Sequence, residues 1–263
     1  MPRKRADELL LAQGTAASRS QARALIMAGQ VFADGRAVLK AGELWPAEAV
    51  FTVQARRRYA SRGGLKLEGA LADLGLDPTG LAVLDVGAST GGFTDCLLQH
   101  GAARVTAVDV GRNLLDLKLA GDPRVTVREG LNARRLSQAG LSPAFDLAVL
   151  DVSFISLALV LPPAAGLVRP GGRLLALVKP QFEVGRDRVG KNGVVRNQAD
   201  IEAAVEKISA LGPALAPPFT VAGRAPSRLA GPKGNREVFL LFESRPAPAR
   251  DARAGQAPQT AEP

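Results

Sequence analysis

The segment "VLDVGASTGG", Val83 to Gly92, decides the fold of most of the chain. It begins with an apolar run that contains Asp85 and continues into a glycine-rich turn. A buried strand followed by such a turn and by a helix from about Phe93 places backbone N–H groups around a ligand at the carboxyl edge of a sheet. The segment therefore predicts a small-molecule site on an α/β sheet.

The turn lacks the signature of a dinucleotide site. A G-x-G-x-x-G motif aligned on Gly87 requires glycine at position 89, where this chain has Ser89. Asp109 ends the next predicted strand, where a carboxylate can hydrogen-bond both hydroxyls of an adenosyl ribose. S-adenosylmethionine has that ribose and no pyrophosphate, so we predict S-adenosylmethionine as the cofactor.

Seven apolar segments from Leu81 onward alternate with helical stretches and predict the strands of one sheet. They are "LAVLDVG", "RVTAVDVG", "RVTVREG", "FDLAVLDVSF", "GGRLLALVKPQ", "FTVAGRAPS" and "EVFLLFES". Near-continuous apolar strands are typical of a parallel sheet covered on both faces. Only "RLAGPKGNR" separates the last two strands, which is too short for a helical crossover, so we expect this pair to be antiparallel.

The composition indicates a basic protein of a reducing compartment. The 263 residues carry a formal net charge of +9, and the usual partner of a basic protein is nucleic acid. One cysteine, Cys96, and one histidine can form neither an intrachain disulfide nor a zinc site of the usual ligand types. The longest apolar run, 152–161, is far shorter than the roughly 20 residues of a membrane span. We expect a cytoplasmic protein with no metal and no membrane association. The sequence leaves the oligomeric state open, and we expect a monomer.

The N-terminal segment predicts a small RNA-binding domain of two helices and a few strands. The first helix is predicted in "RADELLLAQG" and the second from about Ser20, before a strand and a turn at Asp34-Gly35. The pattern "SRSQARALIMAGQVFADG" resembles the RNA-binding domain of ribosomal small-subunit protein four, which implies binding to structured RNA. A solvated basic face is the alternative. The predicted RNA contacts are Arg3, Lys4, Arg5, Arg19, Arg23, Arg57, Arg58 and Arg62.

The residues at the predicted sheet edge narrow the class of methyl acceptor. Methylation of base amines typically uses Asn or Asp followed by two prolines and an aromatic residue after the fourth strand, where this chain has "LDVSF". Attack through a pyrimidine carbon needs a nucleophilic cysteine, whereas Cys96 falls on the helix after the glycine-rich turn. A ribose hydroxyl remains, and a lysine held among carboxylates is suited to orient or deprotonate it.

Four charged residues can meet at that edge. Lys179 ends the fifth strand in an apolar run, where an unpaired ammonium is costly. Asp151 ends the adjacent strand and Glu237 opens the last one, so we expect both carboxylates to fix the charge of Lys179. Lys66 precedes the first strand and can approach from the other side. Each residue alone could instead be a helix cap, an edge charge or a surface lysine, so the prediction depends on the set.

Six segments together resemble one family. They are "SRGGLKLEGAL", "VLDVGASTGGFTDCLL", "VLDVSFIS", "LVKPQFEVGR", "GKNGVVR" and "GPKGNREVF". They are similar to the hemolysin A (TlyA-type) proteins, ribosomal RNA 2′-O-methyltransferases related to the FtsJ-like enzymes. The resemblance implies a Rossmann-like class I methyltransferase fold and transfer of a methyl group to the 2′-hydroxyl of a cytidine in small-subunit RNA, large-subunit RNA, or both.

The resemblance also implies roles for individual residues. A catalytic tetrad maps onto Lys66, Asp151, Lys179 and Glu237. The cofactor contacts implied by the turn and by the family motifs are Asp85, Gly87, Ser89, Gly91, Gly92, Phe93, Asp109 and Asn132.

The predicted organisation has four parts. An RNA-binding domain occupies residues 1–56, a linker 57–62, a methyltransferase domain 63–245 and a disordered tail 246–263. Two other functions stay open at this point. One is a ribosome-binding assembly factor that keeps the fold without activity, and the other is a membrane-acting haemolysin, which the lack of a spanning segment disfavours.

Overall fold

The computed structural model describes residues 2–27, 29–54, 58–231 and 233–245. The chain divides between Arg58 and Tyr59 into two compact units. This boundary falls within the segment predicted as a linker, residues 57–62. Arg57 and the tail predicted at residues 246–263 lie outside the described residues.

The N-terminal unit contains two short helices and two small antiparallel sheets. Its elements are β1 (Arg3–Arg5), α1 (Ala6–Ala12), α2 (Arg19–Met27), β2 (Val31–Ala33), β3 (Arg36–Ala37), β4 (Leu44–Pro46) and β5 (Phe51–Val53). Strand β1 pairs with β4, and β2 lies between β3 and β5. Asp34 and Gly35 have φ angles of 47° and 79°, which are typical of the two-residue hairpin turn that an Asp-Gly pair predicts. Helices and strands share an apolar core that includes Leu10, Ile26 and Val31.

Seven strands of the second unit form one mixed sheet. They are β6 (Ala82–Val86), β7 (Arg104–Asp109), β8 (Val125–Glu129), β9 (Phe145–Leu150), β10 (Val168–Val178), β11 (Phe219–Pro226) and β12 (Val238–Ser244). The order across the sheet is β11-β12-β10-β9-β6-β7-β8, and β12 runs antiparallel to both of its neighbours. The predicted seven strands, the mostly parallel sheet and the antiparallel final pair are confirmed.

Helices cover both faces of this sheet. The α-helices are α3 (Gly63–Asp73), α4 (Gly92–Gln99), α5 (Leu117–Ala120), α6 (Leu161–Ala165) and α7 (Gln198–Ser209). Short 3-10 turns span Ala133–Gln138, Leu157–Leu159, Pro180–Phe182, Arg186–Arg188, Lys191–Gly193 and Gly212–Ala214. Val83 contributes to a core with α3 and α4, whereas its neighbour Leu84 contributes to the core with α6 and α7. Because successive residues of β6 face two different cores, the strand is apolar on both sides rather than alternating.

The topology brings the predicted site residues to one edge of the sheet. Parallel strands β6, β7, β9 and β10 have their carboxyl ends there, and the antiparallel strand β12 contributes its amino end. In the register of β10 and β12, Val178 pairs with Val238. Lys179 and Glu237 are the next positions along these two strands, so their backbones are neighbours at the edge.

Candidate active site

The glycine-rich turn after β6 has a backbone that requires glycine. Gly87 has a φ of 87°, and a Cβ atom there would lie 2.5 Å from the carbonyl oxygen of Asp151. Gly91 has a φ of 92° and caps the N-terminus of α4, where a Cβ atom would collide with the side chain of Leu119. A side chain at either position would be strained and would push the turn away from β9 or α5.

A cavity of about 620 Å³ opens beside this turn. Four of the predicted cofactor contacts line it, namely Gly87, Ser89, Asp109 and Asn132. Other lining residues include the apolar Val110 and Leu114, the catalytic candidate Asp151, and the Ser153–Phe154 pair that follows β9. The cavity therefore joins the predicted cofactor residues to the end of β9.

Asp109 is held by backbone N–H groups on both sides. Its Oδ2 accepts a hydrogen bond of 2.8 Å from the N–H of Ser89, and its Oδ1 accepts one of 2.7 Å from the N–H of Gly111. Asn132 lies on the wall of the same cavity, and its Oδ1 caps a 3-10 turn by accepting from the N–H of Arg134. Each carboxylate oxygen of Asp109 can accept a second hydrogen bond, so the side chain is fixed in place and still able to bind a ligand.

Asp85 is buried beneath the turn. Its Oδ2 accepts a hydrogen bond of 2.7 Å from the hydroxyl of Thr94, while its buried Oδ1 has no hydrogen-bond partner among the described residues. Burial raises the pKa of Asp85 to about 7, although the Thr94 hydrogen bond acts against the increase and the nearby charge of Asp151 adds to it. A buried acid with a raised pKa and one oxygen without a hydrogen-bond partner among the described residues therefore lies under the turn.

Besides the buried Asp85, three predicted cofactor contacts are not on the wall of this cavity. The ring of Phe93 packs in the apolar core, 6.2 Å from the ring of Phe239, so its side chain faces away from the cavity. Gly92 lies against Ser61, whose hydroxyl would collide with a Cβ atom at this position, and Gly91 serves as the cap of α4. These residues shape the turn and the packing of α4 rather than lining the cavity.

The four charged residues form two ion pairs. The Nζ of Lys179 lies 2.6 Å from Oδ1 of Asp151 and donates a hydrogen bond of 2.8 Å to the hydroxyl of Ser153. The Nζ of Lys66 lies 2.5 Å from Oε2 of Glu237. The prediction that both carboxylates pair with Lys179 is therefore wrong for Glu237, because Glu237 forms its ion pair with Lys66 of α3. Lys66, Lys179 and Glu237 are all buried.

A second cavity of about 310 Å³ adjoins the first. Lys179 and Glu237 both line it, and Ser153 and Phe154 line both cavities. The Oε1 atom of Glu237 is buried and has no hydrogen-bond partner among the described residues. Two cavities thus meet at Ser153, one bordered by the glycine-rich turn and the other by an ammonium group and a free carboxylate oxygen.

Phe154 is a site residue that the sequence analysis did not identify. Its side chain is 91% exposed, and its φ of 65° is strained for a residue with a large side chain. Its ring centroid lies 5.3 Å from that of Phe182, and both residues line the second cavity. The available signal was an aromatic residue three positions after the strand-ending Asp151, at an edge where ligands bind.

Three of the predicted RNA contacts in the N-terminal unit converge on the acid Asp7. Arg5, Arg19 and Arg23 each donate a hydrogen bond to the carboxylate of Asp7, over 2.9, 3.2 and 3.1 Å. Asp7 is fully buried, and these hydrogen bonds, first of all the one from Arg5, hold its pKa well below the usual range. The three arginine side chains remain 40–55% exposed. In sequence, Asp7 is an acid in the first turn of a helix, which is typical of helix starts and gives no sign of this cluster.

The other predicted RNA contacts in the described residues are exposed cations. Arg3 and Lys4 lie on β1, Arg58 ends the N-terminal unit, and Arg62 donates a hydrogen bond of 3.4 Å to the carbonyl of Ala230. As for membranes, no helix within the described ranges has the length and apolar character of a span, and the longest of them, α7, has 12 residues.

Comparison with known proteins agrees with this architecture. The model of the FtsJ-like methyltransferase family matches residues 59–244, and that of the S4 domain matches residues 4–44. The 16S/23S rRNA (cytidine-2′-O)-methyltransferase TlyA of Mycobacterium tuberculosis is 41% identical, over 92% of this chain and 91% of that protein. Hemolysin A of Brachyspira hyodysenteriae is 37% identical, over 90% of this chain and 99% of that protein.

A solved structure is similar to this chain in fold. A candidate hemolysin from Streptococcus thermophilus superposes with a TM-score of 0.68 at 41% sequence identity, covering 97% of this chain and 93% of that one. The family match spans most of the chain, and the relatives match along nearly their whole length. The chain therefore belongs to the FtsJ-like methyltransferase family, in the S4-containing, hemolysin A (TlyA-type) group that its motifs resemble.

Proposed function

We propose that the protein transfers a methyl group from S-adenosylmethionine to the 2′-hydroxyl of a cytidine in ribosomal RNA. The observation that carries the proposal is the junction of two cavities, one bordered by the glycine-rich turn and Asp109, the other by Lys179 and Glu237. The relative from Mycobacterium tuberculosis, named for cytidine-2′-O methylation of rRNA, supports the choice of nucleotide and of RNA.

The first cavity fits the methyl donor in size and in chemistry. Its volume of about 620 Å³ lies within the range of small-molecule sites, roughly 300–1,000 Å³. Asp109 would accept hydrogen bonds from the two ribose hydroxyls, and the apolar Val110 and Leu114 would flank the adenine. Asp85 offers a buried, unused oxygen near the positively charged methionine end. When bound, S-adenosylmethionine supplies an electrophilic sulfonium methyl group that needs only a correctly placed nucleophile.

The second cavity supplies the groups that a ribose hydroxyl needs. Lys179 already donates to Ser153 and pairs with Asp151, so it serves as an ammonium that orients the acceptor oxygen by a further hydrogen bond. The free Oε1 of Glu237 is the acceptor available for the hydroxyl proton as the new O–C bond forms. Lys66 fixes the other oxygen of Glu237 and holds this carboxylate in place.

Phe154 provides a surface for the base of the acceptor nucleotide. An exposed aromatic ring beside Phe182 can stack on an unpaired base, and a nucleotide must leave its helix to bring its ribose into a cavity. The strained backbone at position 154 fits a residue retained for binding rather than for stability.

The N-terminal unit supports RNA as the substrate. Its S4-domain match and its exposed arginines suit binding to phosphates of a structured RNA. A ribosomal substrate also implies that the protein acts in the cytoplasm.

The experiment that tests this function is methyl transfer in vitro. The protein is incubated with radiolabelled S-adenosylmethionine and with small or large ribosomal subunits that lack the modification, and the labelled RNA is hydrolysed in alkali. Because a 2′-O-methyl group blocks alkaline cleavage of the next bond, we expect the label in alkali-resistant dinucleotides that begin with cytidine. The control variant Lys179→Ala should lose about 10³-fold in rate with donor affinity kept within twofold.

RNA binding without methyl transfer would favour the assembly-factor function instead. Label released by alkali as mononucleotides would indicate methylation of a base and would also contradict the proposal.

A further inference from the structure

Two sequence motifs, of which only Glu237 has a role in the proposed chemistry, meet beside the second cavity. They are "GKNGVVR", residues 190–196, and "GPKGNREVF", residues 231–239. Asn235 joins them, because its Oδ1 accepts a hydrogen bond of 2.9 Å from the N–H of Val195 and its Nδ2 donates one of 2.8 Å to the carbonyl of Gly193. The Asn235 side chain is buried, so this connection fixes the two loops relative to each other.

The joined loops enclose a third cavity, of about 400 Å³. It is lined by Val194, Val195, Arg196, Ile201, Lys233, Gly234 and Arg236. Three of these residues are cations, and no acidic residue is on the wall. Concave surfaces of one charge sign concentrate ligands of the opposite sign.

The three cations are available to a ligand. Arg196, Lys233 and Arg236 are exposed, and within the described part of the chain none of them lies in an ion pair with a carboxylate. Arg236 donates a long hydrogen bond of 3.3 Å to the side chain of Gln198. Asp200, an acid in the first turn of α7, is paired with Arg188 at 3.3 Å.

We infer that this cavity binds a backbone phosphate of the RNA strand that carries the methylated nucleotide. Lys233 lines both the third cavity and the second one, so an anion in the third cavity lies next to the space for the acceptor ribose. Arginine forks at positions 196 and 236 match the geometry of a phosphodiester. The inference rests on the proposed function. It adds a contact between the methyltransferase unit and the RNA backbone. A polynucleotide should therefore be a better acceptor than a free nucleoside.

The test compares single substitutions that remove the same charge. Arg196→Ala and Arg236→Ala each delete a cation of the cavity, and Arg104→Ala deletes an exposed cation at the amino end of β7, on the opposite edge of the sheet. For both cavity variants we expect KM for ribosomal RNA to rise about tenfold, with kcat and donor affinity within twofold of wild type. The slope of log affinity for RNA against log salt should fall by about 0.7 to 0.9 for each lost phosphate contact. Arg104→Ala should match wild type in every measurement.

Two kinetic results would overturn the inference. In one, the cavity variants of an active enzyme behave like Arg104→Ala. In the other, they lose kcat while KM is unchanged. A defect with intact subunits that disappears with purified RNA overturns it as well, since the cavity would then contact a ribosomal protein. If the wild-type protein transfers no methyl group, the proposed function fails. The salt dependence of RNA binding still tests whether the third cavity binds a phosphate. A smaller slope than that of Arg104→Ala supports the phosphate site, and equal slopes contradict it.

Discussion

Lys179 and Glu237 are neighbours at the ends of β10 and β12, yet each forms its ion pair with a different partner. Lys179 pairs with Asp151 from the adjacent strand, and Glu237 pairs with Lys66 from helix α3. Because Lys66 and Glu237 are both buried, neither charge is well solvated without the other. We therefore expect substitutions of these two residues to have non-additive effects on the free energy of unfolding.

This coupling predicts the result of a double-mutant cycle on Lys66 and Glu237. Lys66→Met leaves a buried carboxylate without a counter-ion and should cost about 3–5 kcal/mol of unfolding free energy. Glu237→Gln should cost a similar amount, because it leaves the ammonium unpaired. The double variant should recover about half or more of the summed loss. Urea unfolding of the four proteins measures these values, and strictly additive losses would show that the pair has no coupling.

The raised pKa of Asp85 predicts a pH-dependent stability. In the folded protein this carboxyl keeps its proton up to about pH 7, whereas in the unfolded chain it has lost the proton at much lower pH. The unfolding free energy of wild type should therefore fall, relative to Asp85→Asn, as the pH rises from about 4 to about 7, by at most about 1.4 kcal/mol per pH unit. Above about pH 8 the difference should level off. Unfolding curves of the two proteins over this range provide the measurement, and parallel pH profiles would refute the assignment.

The strained and exposed Phe154 predicts a conflict between stability and activity. Phe154→Gly removes the steric cost of a φ of 65° and little buried surface, so its melting temperature should equal or exceed that of wild type. The same change removes the stacking surface and should raise KM for RNA by about tenfold. Phe154→Trp, which keeps an aromatic face, is the matched control and should retain near-normal KM. A glycine variant with unchanged KM would exclude Phe154 from RNA binding.

The arginine cluster around Asp7 predicts that removing this negative charge weakens RNA binding, although the change makes the protein more positive. Asp7→Asn raises the net charge by one, which alone would tighten RNA binding. Because Asp7 holds Arg5, Arg19 and Arg23 in one arrangement, we expect affinity to fall about tenfold instead. Glu8 pairs with Arg19 at 3.3 Å, but this ion pair is half-exposed and is worth little, so Glu8→Gln adds the same charge and should leave affinity equal or slightly higher.

The measurement for this prediction is RNA binding at several salt concentrations, at a temperature where thermal unfolding curves show each variant to be folded. Tighter binding by Asp7→Asn than by wild type would mean that Asp7 does not position the arginines. Arg23→Lys provides an independent check, since it keeps the charge while removing the guanidinium that bonds to Asp7.

Much of this architecture could be predicted from the sequence because it depends on local pattern. The apolar strands, the glycine-rich turn and the short link between β11 and β12 determine the sheet and its direction. The same logic located Asp109, Asp151 and Lys179, since residues that end parallel strands meet at one edge. The pairing of charges could not be predicted, because it depends on how far α3 lies from β12.

Other features depend on three-dimensional packing in a similar way. Phe93 follows the glycine-rich turn, but the pitch of α4 directs its ring into the core. Asp7 and Asn235 look like ordinary polar residues until the loops and helices around them are assembled. Apart from Arg5, the side-chain partners of these two residues are 12 or more positions away in sequence, so no local pattern identifies the contacts.

The most direct test of the central claim uses the acceptor oxygen itself. Once the labelled cytidine is located, an RNA is prepared with 2′-deoxycytidine at that single position and is compared with the unmodified RNA at equal binding. If the 2′-hydroxyl is the nucleophile, the deoxy substrate will bind and accept no methyl group. Methyl transfer to the deoxy substrate at a normal rate would show that another atom is the acceptor and would contradict the account.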